Sequence, residues 1–416
     1  MSLTRYLPKP SARMGCLWSI IPIKDSIVLE YGPSGTTHFS IGFFSDLNIN
    51  PINKLYTTHM RENDVAMGDT STLENAIIEI DKVQKPKVIF IVESSVAAII
   101  GSDVKGICNY MQDKVNAKLV SFTDGGLSND FSYGIKQTYL KLVKELCIED
   151  PQKNTNKVNI LGFSFGEYRA SSDIKEIEYL LKEGLGLEIG TVLCGDTSIS
   201  EIQNMGGNAL NIVISDEGLS AANYLYKKYK TPLLNASPYG YKGTLDWLKS
   251  ISDILGIEIK DKMMRKINDK LFRMREYYSI NTRLSGKQDV IVVGNYNRVV
   301  GIGNYLKSIG FNNIQLICTH SLSSIYNPDE NVISYNDENE LMFILKDKKD
   351  AFILGNDMVF NMCHPDNIFC RISMPLLQGC EICDNLPLMG LNGADYILEQ
   401  STAYTQMVKL KKTKKQ

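Results

Sequence analysis

The stretch KVIFIVESSV, residues 87–96, decides the fold. After Lys87 the chain has an unbroken apolar run, and Glu93, Ser94 and Ser95 then supply a polar turn. A continuous run of β-branched and aromatic residues is typical of a strand buried on both faces, as strands are in parallel sheets covered by helices. Together with a helix that is predicted to begin near Val96, the stretch forms one strand–turn–helix unit.

The same unit recurs along the chain. KVNILG (157–162) leads, after a polar loop, into the helical pattern DIKEIEYLLKEG (173–184), and DVIVVG (289–294) leads into RVVGIGNYLKSIG (298–310). Further buried strands are predicted at GLEIGTVL (186–193), ALNIVIS (209–215), NIQLIC (313–318), DAFILG (350–355) and IFCRIS (368–373). Strands that alternate with helices predict a doubly wound α/β architecture with mainly parallel sheets.

Chain length and polar stretches indicate how this architecture is divided. A chain of 416 residues is too long for one ordinary core and suggests about two to four units. The stretches EDPQKNTNK (149–157) and INTRLSGKQ (280–288) are typical of linkers. We therefore predict three similar α/β domains, at 1–155, 156–285 and 286–416, of which the last ends in a helix and a short basic tail.

Composition excludes several classes of partner. The formal net charge is −2 and 44% of the residues are hydrophobic, which disfavours a nucleic-acid-binding protein. No apolar stretch approaches the roughly 20 residues that cross a bilayer, and no signal-peptide pattern begins the chain, so we expect a cytoplasmic protein without membrane contact. The nine cysteines are then expected to be reduced, as buried small side chains or as metal ligands.

Two motifs with known chemistry are only partly present. GFSFG (162–166) matches the nucleophile elbow of serine hydrolases, with Ser164 as nucleophile. An elbow needs a helix directly after the serine, whereas here the helix is predicted to begin near Ser171 or Ser172, which favours an ordinary Gly/Ser loop. No G-x-G-x-x-G directly follows a strand and no P-loop occurs, so this chain is not expected to bind NAD or ATP.

The cysteines offer two candidate metal sites. Cys16 is isolated in the stretch RMGCLW (13–18), which we interpret as a Gly-flanked turn. A second group falls within 21 residues near the end of the chain: Cys363, His364, Cys370, Cys380 and Cys383. Thiolates at this density could hold zinc or an Fe–S cluster, with Cys380 and Cys383 in a C-x-x-C pair. Their spacing matches no standard finger or ferredoxin, so buried free thiols remain the alternative.

Several segments, in order along the chain, carry a family resemblance. They are GC…IKDSIVLEYGPSGTTHFS (15–40), TTHMRENDVAMGDTSTLENAI (57–77), FIVESSVAAIIGSDVKGI (90–107), LLKEGLGLEIGTVLCGDTSISEIQNM (180–205), ALNIVISDEGLSAANYLYKKYKTPLL (209–234) and FCRISMPLLQGCEICDNLPLMGLNGADYIL (369–398). Together they resemble component 1 of nitrogenase and of nitrogenase-like oxidoreductases, which include protochlorophyllide reductases and nitrogenase cofactor scaffold proteins. The resemblance implies three Rossmann-like domains, in agreement with the division above.

The departures from the family pattern are informative. A catalytic subunit of this family contributes three cysteines to a cluster at the interface with its sister subunit. By resemblance only the first is present here, as Cys16, while Thr36 occupies the second position and Ser95 the third. The position of the cysteine that holds the active-site metallocofactor is Ser215. Hydroxyl groups are poor ligands for iron–sulfur clusters beside soft thiolates.

The resemblance therefore implies that Cys16 is one of four ligands to a [4Fe–4S] cluster, the other three coming from a cysteine-richer α-type sister. This chain would be the β-type subunit of a hetero-oligomeric reductase. An Fe protein would bind the ATP, dock around Cys16, residues 32–37 and the helix after Ser95, and supply electrons for a substrate held mainly by the sister chain. A non-catalytic scaffold for metallocluster assembly and a degenerate, metal-free binding module remain the alternatives.

Overall fold

The computed structural model describes residues 9–46, 49–285, 287–374 and 385–414. The apolar run at 88–92 lies in a buried strand at the centre of a four-stranded sheet. The strands of this first sheet are β1 (Ser26–Tyr31), β2 (Leu55–Thr57), β3 (Val88–Glu93) and β4 (Lys118–Phe122). They pair in parallel in the order β2-β1-β3-β4, with Tyr31 opposite Glu93 at the carboxyl edge.

The middle sheet repeats this arrangement. Its strands are β5 (Asn154–Leu161), β6 (Glu188–Val192), β7 (Asn208–Val213) and β8 (Leu233–Asn235). They are parallel and lie in the order β6-β5-β7-β8.

A third parallel sheet has the strand order β11-β10-β9-β12-β13. Its strands are β9 (Val290–Gly294), β10 (Ile314–Cys318), β11 (Val332–Ser334), β12 (Phe352–Gly355) and β13 (Ile368–Arg371). The parallel α/β fold class is therefore confirmed.

Helices connect successive strands and cover the sheets. Those of the first region are α1 (Ala12–Ile20), α2 (Ser34–Asp46), α3 (Glu62–Met67), α4 (Ser71–Gln84), α5 (Ser95–Ile99), α6 (Val104–Met111) and α7 (Phe131–Leu146). Those that follow are α8 (Ala170–Leu185), α9 (Ile199–Gln203), α10 (Leu219–Tyr229), α11 (Gly240–Leu255), α12 (Asp261–Ser285), α13 (Tyr296–Ser308), α14 (Glu338–Leu345), α15 (Asp357–Met362) and α16 (Gly390–Lys414). Within the described ranges, no helix combines the length and the hydropathy that a membrane span requires.

The three sheets occupy successive parts of the chain, but their cores merge. One apolar cluster joins the middle sheet to the third, and α16 packs against α8, α11 and α12 of the middle region. A second cluster surrounds α1 and α7 and joins the first sheet to the middle one. The division at 155 and 286 stays a prediction; β5 begins at Asn154, just before the first of these boundaries.

Two local expectations were wrong. Cys16 lies in the middle of helix α1 rather than in a turn, because Gly15 is used for close helix packing and does not end the helix. Helix α8 begins at Ala170, after Arg169 at its N-cap, so Ser171 and Ser172 lie inside the helix. Strand β1 was absent from the predicted strands, although SIVLEY is buried throughout.

The strand orders place a crevice at the carboxyl edge of each sheet. Connections from the first strand of a sheet run to one side, and later connections run to the other, which creates a switch point where ligands usually bind in open α/β sheets. In the first sheet the switch point lies between β1 and β3, and in the middle sheet it lies between β5 and β7.

Candidate functional site

Helix α1 carries Cys16 to the carboxyl edge of the first sheet, at the ends of β3 and β4. The helix packs closely against α7, and two glycines make this approach possible. A Cβ atom on Gly15 would lie 2.1 Å from the carbonyl oxygen of Phe131, and one on Gly134 would lie 2.0 Å from that of Ala12. Because no side chain fits at either position, the packing of the two helices fixes the place of the thiol.

Cys16 is 6% exposed and lines a cavity of about 430 Å³. The cavity is bounded by α1, α7 and the segments that follow β3 and β4; residues that line it include Arg13, Glu93, Asp124, Thr138 and Lys141. The thiol is thus a single soft ligand beside a space open to the surface. Among the described residues, no group of three or more His, Cys, Asp or Glu side chains is arranged to hold a metal ion.

The surroundings of Cys16 set its protonation state. Burial raises the pKa of the thiol to about 12, while a hydrogen bond with Thr138 and the charges of Lys141 and Arg13 act in the opposite direction. The negative charge of Asp124 adds a smaller increase of the pKa. Without a bound metal the side chain is therefore a neutral thiol, and a metal ion would be needed to stabilise the thiolate.

The hydroxyl at the second family position has a structural partner. Thr36 Oγ1 donates to Oε1 of Glu30 at 2.8 Å, and Thr37 Oγ1 donates to Oε2 at 3.1 Å. The Nη1 atom of Arg13 donates to the same carboxylate at 2.6 Å, and Glu30 is fully buried. Thr36 therefore helps to satisfy a buried ion pair that anchors α1, and its hydroxyl is directed at Glu30.

The residue at the third family position, Ser95, is also unlike a cluster ligand. Ser95 is the first residue of α5, and the residue before it, Ser94, caps that helix by accepting a hydrogen bond from the amide of Ala97 at 3.2 Å.

Glu93 is a further polar side chain near Cys16, and it was not identified as functional from the sequence. Glu93, at the end of β3, is 4% exposed and lines the same cavity as Cys16.

The electrostatics of Glu93 are unusual. Burial, together with a smaller effect of the nearby charge of Asp124, raises the pKa of its carboxyl to about 7. Within the described part of the chain, the carboxylate of Glu93 accepts no hydrogen bond and forms no ion pair. The signal in the sequence was an acidic residue directly after an apolar strand, at the position where parallel sheets place functional groups.

The switch point of the middle sheet is closed. The cavity there is only about 30 Å³ and is lined by Ser215, Glu167 and Arg298. The guanidinium of Arg298 donates to Oδ2 of Asp173 at 2.9 Å and lies 3.2 Å from Oε2 of Glu167. Ser215 Oγ donates to Glu217, so it too is engaged within the protein. This volume accommodates about one water molecule.

The remaining candidates do not assemble into a site in the described residues. Cys370 is buried in β13 and Cys363 is partly exposed after α15, while Cys380 and Cys383 lie outside the described residues. Ser164 Oγ accepts a hydrogen bond from the amide of Gly166, and five residues separate this serine from the start of α8. A nucleophile elbow is therefore not formed, in agreement with the sequence.

Comparisons with known proteins agree with this architecture. A family model described as "Nitrogenase component 1 type Oxidoreductase" matches residues 11–405. The solved structure "Nitrogenase Cp1 at pH 6.5" superimposes with a TM-score of 0.78 over 98% of this chain and 95% of that chain, at 16% sequence identity. The prediction of a nitrogenase component 1-like fold is confirmed.

Curated relatives fall into two groups. The nitrogenase iron-molybdenum cofactor biosynthesis protein NifE of Clostridium pasteurianum is 29% identical over 280 residues, which are 66% of this chain and 60% of that protein. A subunit of the light-independent protochlorophyllide reductase of Heliobacterium modesticaldum is 20% identical over 65% of this chain and 52% of that protein. Each alignment thus spans less than two thirds of the relative's length.

Proposed function

This chain belongs to the family of nitrogenase component 1-type oxidoreductases, and we propose that it is a β-type subunit that contributes Cys16 to a [4Fe–4S] cluster shared with a partner subunit. The observation that carries the proposal is the position of Cys16: a single buried thiol at the carboxyl edge of the first sheet, beside a cavity that opens to the surface at the ends of β3 and β4. One thiolate satisfies one iron, so the remaining ligands must come from elsewhere.

The residues around Cys16 fit one corner of such a cluster. The hydroxyl of Thr138 and the charges of Lys141 and Arg13 all favour the thiolate over the thiol. The packing of α1 on α7 excludes water from one side of the sulfur and fixes its position. When bound, the cluster supplies reversible one-electron transfer, which in this family is coupled to an ATP-dependent Fe protein.

The surface around the cavity supports a permanent partner. Large apolar side chains are exposed on the connections that follow the strands of the first sheet, among them Phe39 (60%), Met67 (82%), Ile99 (73%) and Leu127 (58%). Ile99 and Leu127 lie on the connections after β3 and β4, the two strands whose ends bound the cavity. Exposed apolar residues near this edge of the sheet are typical of a surface that another protein covers. We infer that the cysteine-richer sister subunit and the Fe protein dock at this edge.

The test is the iron content of the complex. The affinity-tagged chain is purified anaerobically from its natural host, so that its partner accompanies it, and iron is measured together with the electron paramagnetic resonance spectrum after reduction. Cys16→Ala should remove most of the iron. Cys147→Ala is the matched control, because this thiol is also buried but hydrogen-bonds to the carbonyl of Ile202, away from the cavity. Unchanged iron in Cys16→Ala would refute the proposal.

A second candidate function is a scaffold for metallocluster assembly, which the similarity to a NifE protein favours. Both functions use Cys16, so the iron measurement does not separate them. Repeated turnover of a reducible substrate by the complex with its Fe protein supports the reductase. Release of the cluster to an acceptor protein without turnover supports the scaffold. If iron is found neither in the chain purified alone nor in its complex with the sister subunit, the metal-free binding module is indicated.

A further inference from the structure

We propose that Glu93 supplies a carboxylate oxygen as a second iron ligand from this chain, so that the shared cluster is held by Cys16 and Glu93 on one side of the interface. This inference rests on the proposed function, because it concerns the same cluster. It reduces the number of ligands that the partner must supply to a four-iron cluster from three to two.

The first step is the position of the carboxylate. Glu93 pairs with Tyr31 in the register of β3 and β1, so it stands at the carboxyl edge where the connections of the sheet diverge. Its side chain and that of Cys16 line the same cavity. Both side chains are therefore accessible to a metal group that occupies the cavity.

The second step is the missing partner of this carboxylate. Glu93 is 4% exposed, and among the described residues no donor hydrogen-bonds to it and no cation pairs with it. An ionised carboxylate in such surroundings is costly unless a cation or donor compensates its charge. Other buried acidic groups in the described ranges do have such compensation: Glu30 has Arg13, and Asp173 has Arg298.

The third step concerns the nearby cations, which have other partners. Arg13 pairs with Glu30, and Lys141 donates to the carbonyl of Ser121 while lying 5.3 Å from the centre of the Phe122 ring. Asp124, which also lines the cavity, is close enough to raise the pKa of Glu93. The lining also includes Lys144 and Glu145, whose charges offset each other. Among the described residues no cation of the wall pairs with Glu93, and a cation that enters the cavity from outside would stabilise its carboxylate.

The fourth step is the chemistry of the donor pair. Iron accepts carboxylate oxygen as well as thiolate sulfur. Asp124 is exposed and is hydrated without a metal, whereas Glu93 is only 4% exposed and lies at the wall of the cavity. This difference selects Glu93 as the ligand and leaves Asp124 as a solvated neighbour with the same charge.

The experiment compares Glu93→Gln with Asp124→Asn in the complex purified as described above. The two variants remove the same charge from the same cavity, but only the first removes the proposed ligand. Retention of iron is measured against increasing concentrations of a ferrous chelator. Loss of a ligand should weaken retention on the order of tenfold or more in Glu93→Gln. Asp124→Asn should match the wild type.

Two further measurements separate ligation from folding. Glu93→Gln removes an uncompensated buried charge, so the metal-free variant should unfold at the same temperature as the wild type or a higher one. A merely structural carboxylate would give a lower temperature. In the wild-type complex enriched in iron-57, the Mössbauer spectrum should contain an iron site with a larger isomer shift than its thiolate-ligated neighbours, and Glu93→Gln should lose it.

The outcomes distinguish the two proposals. If Cys16→Ala loses iron while Glu93→Gln retains it with an unchanged Mössbauer spectrum, the inference about Glu93 is wrong and the proposed function stands. If Cys16→Ala itself leaves the iron unchanged, both are wrong. Should Glu93→Gln fail to fold, Glu93→Asp replaces it: the shortened carboxylate must alter the spectrum of the oxygen-ligated iron, and an unaltered spectrum overturns the inference.

Discussion

The first and middle sheets have the same strand order, and the same pair of residues marks the switch point in each. Gly32 follows β1, and a Cβ atom there would lie 2.4 Å from the side chain of Ser94. Gly162 follows β5, and a Cβ atom there would lie 2.5 Å from the amide of Ser215. In both sheets a glycine lets the two loops approach each other.

The two sheets differ in the free volume and in the side chains found at this edge. In the first sheet a cavity of about 430 Å³ lies next to the switch point, at the ends of β3 and β4, and is lined by a thiol and by a carboxylate that has no partner among the described residues. The crevice of the middle sheet has been filled by Arg298, whose ion pairs leave about 30 Å³. The same backbone can thus serve as a binding site or as a packed joint, and the side chains at the strand ends decide which. Four predictions test this comparison.

The largest expected effect is at the closed crevice. Arg298→Met leaves the buried carboxylates of Asp173 and Glu167 without their cation, which should lower the free energy of unfolding by about 3–5 kcal/mol. Urea denaturation of the metal-free chain measures it. Lys348→Met is the control, because its pair with Asp289, at 2.9 Å, is partly exposed and should contribute less than about 1 kcal/mol. Equal losses of unfolding free energy in the two variants would contradict the role of Arg298 as the residue whose ion pairs close the middle crevice.

The ion pair beside the open crevice should contribute less. Arg13→Met removes the cation from Glu30, but Thr36 and Thr37 still donate to this carboxylate. We expect a loss of about 2–3 kcal/mol in the free energy of unfolding. Because the pair anchors α1, the variant should also weaken iron binding in the complex. A loss of stability as large as that of Arg298→Met would remove the distinction between the two crevices.

The sequence predicted the fold class and singled out one of the side chains that line the open cavity. Apolar runs such as 289–294 specify parallel strands whatever their neighbours are, and Cys16 lies in a segment that resembles the family pattern, although the structure places it in helix α1 and not in a turn. Glu93 was not recognised, because an acidic residue after a strand is ordinary until the structure places it in a cavity without a partner. The role of Arg298 depends on residues 125 positions away, which local patterns do not reveal.

The closed crevice should also respond to pH. Burial raises the pKa of Glu167 to about 7, against an ordinary value of 4.5, although Arg298 acts in the opposite direction. At Glu167 the folded state therefore binds a proton more tightly than the unfolded chain does. The resulting contribution to the free energy of unfolding is complete below the unfolded pKa and is lost as pH rises to about 7. Between about pH 5 and pH 7, Glu167→Gln should reduce the decline in stability by about 1–2 kcal/mol. An unchanged pH profile would show that Glu167 is ionised throughout.

The smallest effect is expected at the open crevice, in a position where the family pattern has a ligand. Thr36→Val removes one of the donors to Glu30 and should cost about 1 kcal/mol, since Arg13 and Thr37 remain. Its iron content should equal that of the wild-type complex, because the hydroxyl is directed at a carboxylate. Ser95→Ala, at the third ligand position of the family pattern, should change neither the free energy of unfolding nor the iron content. Loss of iron in Thr36→Val at preserved stability would make this hydroxyl part of the cluster site, and the open crevice would then hold three donors from this chain.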